Sequence, residues 1–138
     1  MSRAIGSVLL LLLTACATPA GQIPKEDFAW ETAELPIGYQ AGFRNLRQAF
    51  QTCPGFVAEG DLYTDLGEGR LTVYLAQGFP MSGRTDFVAG KVELQKKDDA
   101  RSVITLAVQH IYDKPTFGPP GKMRGQWKRW ASGNFDCS

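Results

Sequence analysis

One histidine and three cysteines occur among the 138 residues, and these four side chains bound the chemistry the chain can perform. His110 is the first place to look for acid–base work, because imidazole alone titrates near neutrality without help. Its nearest carboxylate in sequence is Asp113, and it falls near the end of an alternating apolar–polar stretch. A structural histidine at a sheet edge is therefore the simpler reading. No serine sits in a nucleophile-elbow pattern, and no glycine-rich phosphate loop with a following Lys-Ser or Lys-Thr is present. Asp98 and Asp99 stand side by side in a polar turn, where carboxylates are ordinarily solvated. Cys53, Cys137 and the distant His110 do not make a structural zinc set. The chain reads as non-enzymatic, with no catalytic residues, no cofactor and no metal.

Binding chemistry is better represented. Lys122, Arg124, Lys128 and Arg129 accompany Trp127 and Trp130, with no acid between Lys114 and Ser132. A basic helix bearing tryptophans can lie on an anionic membrane or offer a contact face where Trp and Arg favour hot spots. The plainer alternative puts both tryptophans in the core of a small domain that needs them. Acidic residues gather elsewhere, at Glu26, Asp27, Glu31 and Glu34, then Glu59, Asp61, Asp65 and Glu68. A net charge of +1 gives no reason to expect nucleic acid. A second candidate set, Tyr39, Phe43, Tyr74 and Tyr112, would line a cavity for a small apolar ligand between sheet and helix. A third reading, an inhibitor of an exported enzyme, would use the loops at 77–85 and 114–121.

The elements that must position these residues follow from periodicity. A short strand is expected over Phe28 to Leu35, with Phe28 and Trp30 on one face and Glu31 opposite. Pro36 suits the first turn of a helix. Tyr39, Phe43, Leu46, Phe50 and Cys53 then form an apolar stripe at helical spacing, opposite Gln40, Arg44, Arg47, Gln48 and Gln51, and Pro54-Gly55 ends it. Strands are expected at 58–65 and 70–76, joined through Gly67-Glu68-Gly69. Leu71, Val73 and Leu75 would point inward, with Thr72 and Tyr74 outward. A strand at 86–96 would turn Val88, Val92 and Leu94 one way and Lys91, Glu93 and Gln95 the other. A polar turn at 97–100 leads to the longest strand, 103–112, with Ile104, Leu106, Val108, His110 and Tyr112 inward. A second helix over 122–132 carries Met123, Trp127, Trp130 and Ala131 on its apolar face, with Gly133 where a helix end favours positive φ. The expected class is α+β: an antiparallel sheet of four to five strands with two helices on one face, in the order β-α-β-β-β-β-α. This order resembles, at fold level, the helix-grip domains of several envelope lipoproteins and lipid-transfer proteins, a resemblance that carries no function by itself.

The strongest local signal lies at the N-terminus. Met1-Ser2-Arg3 is a short positive segment, and the apolar run from Ala4 to Leu13 includes the consecutive leucines Leu9 to Leu13. That run is too short for a bilayer of ~30 Å, which takes about 20 residues, and suits the core of a leader peptide. Leu13-Thr14-Ala15-Cys16 follows, and it resembles the lipobox of bacterial lipoproteins. The resemblance implies removal of residues 1–15 and lipid attachment at Cys16. It also implies membrane anchoring through several acyl chains, in a bacterial envelope facing the periplasm. Ala17, where family members retained at the inner membrane carry Asp, points to the outer membrane. Residues 16–27, with Pro19 and Pro24, read as the lipidated cysteine and a tether, and 28–138 as one domain. Loss of Arg3 brings the mature chain to about zero net charge. With Cys16 lipidated and the chain exported, Cys53 and Cys137 are expected to form a disulfide. Closing a loop of about 85 residues would stabilise by roughly 4–5 kcal/mol in the chain-entropy model. The expected protein is a lipid-anchored binding module with an envelope protein or polymer as its partner.

Overall fold

The computed structural model describes residues 25–78, 83–114 and 118–138. The leader, Cys16 and most of the tether lie outside the described residues, as do 79–82 and 115–117 of the two candidate loops. The elements run β1 (Phe28–Leu35), α1 (Tyr39–Thr52), β2 (Phe56–Tyr63), β3 (Glu68–Ala76), β4 (Arg84–Lys96), β5 (Ser102–Gln109) and α2 (Lys122–Ala131). The strands form one five-stranded sheet in the order β1-β5-β4-β3-β2, antiparallel throughout. The protein is α+β, with both helices packed on the sheet.

Topology dictates where α1 must lie. β1 and β2 occupy opposite edges, so the segment joining them has to cross the sheet, and α1 touches β2, β3, β4 and β5 on the way. Its stripe of Tyr39, Gly42, Phe43, Leu46, Ala49 and Phe50 is buried. Beneath it, Leu71, Val73, Val92, Leu94, Ile104, Leu106 and Val108 are each at most 3% exposed. Two strand glycines seat the large rings of the helices. A Cβ on Gly69 would stand 2.7 Å from the Phe43 ring, and one on Gly90 would stand 2.8 Å from Trp127. Trp127 also meets Phe50 and Phe56 edge-on, at 5.4 and 6.3 Å between centroids.

Cys53 and Cys137 are disulfide-bonded across a sequence separation of 84. The bond holds the exposed tail after α2 against the end of α1. Trp130 Nε1 donates to the Asp136 carbonyl at 2.7 Å, and Gly133 has φ of 98° at the end of α2.

Several expectations need correction. Ahead of β1, Lys25–Asp27 form a 3-10 turn, and the Lys25 carbonyl accepts a bond from Trp30 Nε1 at 2.9 Å. Pro36 lies before α1, which begins at Tyr39 after Gly38, because the buried Ser102 hydroxyl holds the Ile37 carbonyl in the extended connection. The β2–β3 turn is Thr64 to Gly67, with Gly67 at φ 63°, so Glu68 and Gly69 belong to β3. β5 stops at Gln109 because its neighbours stop pairing there, at Phe28↔Gln109 and Gly90↔Val108. The longest strand is β4, at 13 residues. His110 and Tyr112 belong to a 3-10 turn, and His110 is exposed. A register shift between Val73 and Tyr74 leaves Ala89 as the extra residue of a bulge, which turns Val88 away from Val92 and Leu94.

Candidate binding face of the sheet

The basic helix does not present the surface its sequence suggests. Trp127 and Trp130 are 0% and 3% exposed, so they are core and cannot meet a partner. Two of the cations are engaged internally. Glu31, on the helix-covered side of β1, accepts Lys128 and lies 3.6 Å from Arg124 Nη1. Arg124 Nη2 is 3.3 Å from Asp113, whose other oxygen accepts the Gly121 N–H at 2.8 Å. Folding thus pairs Arg124 and Lys128 with acids distant from them in sequence or on the preceding turn. Lys122 and Arg129 remain exposed.

The apolar-ligand set is divided by the sheet itself. Phe43 fills the Gly69 notch on the covered face. The Tyr39 hydroxyl, at the start of α1, accepts Gln40 Nε2 at 3.3 Å. Tyr112 is wedged between Phe56 and Phe87 at 5.7 and 6.1 Å, where burial pushes its hydroxyl up. Tyr74 lies on the opposite face, in a small cluster with Phe28, Val88 and Ala107. Among the described residues, these four line no common cavity.

The face without helices carries a built surface. The register aligns Trp30, Ala107, Lys91, Thr72 and Glu59 in one row across all five strands. The next row is Thr32, Thr105, Glu93, Arg70 and Asp61. Each aromatic here has a cation beside it: Lys25 at 5.7 Å from the Trp30 centroid, Lys91 at 6.0 Å from Phe28, Arg84 at 3.8 Å from Tyr74, and Arg70 at 5.4 Å from Tyr63. Such contacts hold flat rings and long basic chains in fixed positions on a wet surface. A groove of about 350 Å³ runs between the rows, with Trp30, Arg70, Thr72, Lys91, Glu93 and Thr105 in its walls.

A cavity of about 420 Å³ lies between the end of α1 and the free edge of β2. Among the described residues its walls carry Arg47, Gln51 and Thr52 as polar side chains, and none is an acid. Sequence alternation did place Thr72, Tyr74, Lys91 and Glu93 on one face. It did not show that Trp30 joins them, since Phe28 and Leu35, on opposite faces of β1, are both buried.

No known protein family matches this chain, and no curated protein sequence or solved structure matches it. Among the described residues, no helix is long and apolar enough to cross a membrane.

Proposed function

We propose that this protein is a non-catalytic binding module of a bacterial cell envelope, lipid-anchored at Cys16, whose contact surface is the open face of the sheet. The anchor rests on the leader and the Leu13-to-Cys16 lipobox. The oxidised Cys53–Cys137 pair suits an exported domain. The outer membrane, facing the periplasm, is the location that Ala17 favours.

The observation that carries the contact surface is the fixed, exposed Trp30. It is 44% exposed, yet its N–H is bound to Lys25 and its ring packs edge-on against Phe28 at 6.1 Å. A tryptophan held rigid in water is already ordered before a partner arrives, which lowers the entropic cost of contact.

In-cell photo-crosslinking tests this reading. A photoreactive residue at Gln95, on the open face, should trap an envelope component, whereas one at Gln48, exposed on α1, should not. Equal capture from both positions, or capture from Gln48 alone, would remove the open face as the contact. The mass of protein extracted from its own membrane tests the anchor, which requires residues 16–138 plus acyl groups, less two hydrogens for the disulfide.

A further inference from the structure

We infer that the groove beside Trp30 is a saccharide subsite selective for a ring bearing a carboxylate, such as an acidic sugar unit of an envelope polymer. This rests on the reading of the open face as the contact surface and specifies its ligand. The groove, at about 350 Å³, has the scale of a small-molecule site and is too small to admit a folded partner.

Its wall chemistry divides into three parts. Trp30 supplies an indole against which the C–H face of a sugar ring can stack, and its bond to Lys25 keeps that ring from rotating away. Around it stand groups that suit a ring's hydroxyl rim. The Glu93 carboxylate accepts only, and its one side-chain hydrogen bond comes from Gln95 Nε2 at 2.9 Å. The Thr72 hydroxyl can both donate and accept, and the Thr105 hydroxyl, 3.3 Å from that of Thr32, keeps one further bonding direction. An aliphatic ligand would leave these groups desolvated and unpaired, at a cost that excludes it.

The third part is charge. Arg70 is paired within the protein by Glu68 at 2.5 Å. Lys91 differs. It reaches the Phe28 ring at 6.0 Å, and among the described residues no carboxylate lies within ion-pair distance of it. The groove therefore holds one cation without an ion-pair partner beside a stacking ring and a hydroxyl-binding wall. One carboxylate on a pyranose satisfies all three at once, while a neutral sugar leaves Lys91 unmatched. A polyanion such as nucleic acid would meet Glu93, Glu59 and Asp61 across the same two rows.

The chain's three tryptophans make the test direct. Trp127 and Trp130 are buried and Trp30 is 44% exposed, so acrylamide quenching of the full-length protein in detergent reports on Trp30. Galacturonate, a probe with a single carboxylate, should protect Trp30 from quenching, weakening as salt rises. Galactose, its neutral counterpart, should bind about tenfold more weakly, the worth of one charge-assisted contact. Lys91→Gln should erase the difference between the two probes while leaving the fluorescence of the free protein unchanged.

Equal protection by both probes, or unchanged selectivity in Lys91→Gln, would overturn the assignment of Lys91 and with it the acidic ligand. No protection by either probe at about 10 mM, well above the affinity of a weak site, would overturn the saccharide subsite altogether. If crosslinks from Gln95 still formed, the contact surface would stand and only its ligand chemistry would fall. If they vanished as well, the open-face reading would fall with it.

Discussion

On the helix-covered face, β3, β4 and β5 carry Leu71, Val73, Val92, Leu94, Ile104, Leu106 and Val108. One residue along the same strands, the open face carries Thr72, Lys91, Glu93 and Thr105. The two faces also treat tryptophan and charge differently. Under the helices, Trp127 is fully buried against Gly90, and Glu31 has cations from α2 to neutralise it. In the open, Trp30 is wet, and Lys91 finds an aromatic ring in place of a carboxylate. The covered face thus closes the fold, although Trp127 Nε1 and Arg124 Nε are buried there without a hydrogen-bond partner. The other keeps ordered groups whose bonding capacity is unused, as a contact surface requires.

That comparison can be broken at several points. The largest expected effect comes from opening the Cys53–Cys137 bond, which clamps the layer over the covered face. Cys53→Ser with Cys137→Ser should lower unfolding free energy by about 4–5 kcal/mol in the chain-entropy model, read by urea denaturation. Quenching at Trp30 in the native baseline should stay unchanged.

Substituting one tryptophan on each face sharpens the contrast. Trp127→Ala should destabilise by about 3–5 kcal/mol, since it removes a fully buried ring. Trp30→Ala should fall within about 1 kcal/mol of wild type in the same denaturation while abolishing partner capture. Similar losses for the two variants would mean that the faces are not distinct in kind.

Gly90→Ala comes next, at about 1–3 kcal/mol. The added methyl would meet the Ala107 carbonyl at 2.3 Å and the Trp127 ring at 2.8 Å, and neither can retreat without moving backbone or core. A melting temperature equal to wild type would show that Trp127 is not seated on this notch.

The smallest effect belongs to charges at the margin of the open face. Arg101 and the Ala100 N–H hold the Asp98 carboxyl below its ordinary value, and Lys97 does the same for Glu34. Because both folded values are lowered, the stabilisation is complete at neutral pH and is lost as pH falls through them, below about pH 4. Carboxyl carbon shifts should titrate with midpoints below those of the unfolded chain and move toward them in high salt, since both pairs are exposed. Midpoints at or above the unfolded values would remove these pairs as stabilising contacts.

Much of the covered face was legible because periodicity reports burial. The stripe Tyr39, Phe43, Leu46 and Phe50, and the inward positions Leu71, Val73, Val92 and Leu94, follow from spacing alone. What escaped depends on contacts distant in sequence. Val88 shares the parity of Val92, and only the bulge at Ala89, set by pairing with β3, turns it outward. His110 continues the alternation of β5, but the ladder ends where β1 and β4 run out. The cations of α2 looked free because Glu31 is far from them in the chain. For the groove, the outward residues of β3 and β4 were readable, whereas Trp30 joined them only through the pairing of β1 with β5.

The disulfide also makes the molecule mechanically unequal. Load applied between Lys25 and Cys137 travels along the chain to Cys53 and crosses the sulfur bridge, bypassing everything between the two cysteines. The extensible length is the stretch from Lys25 to Cys53, at most about 100 Å when fully drawn out. It contains β1, an edge strand paired only to β5. Arg70, Thr72, Lys91, Glu93 and Thr105 sit inside the covalent loop, while Trp30 sits outside it on β1. Tension from the N-terminal side therefore strips the indole from the groove before it disturbs the groups around it, so the contact proposed for that surface would be sensitive to force.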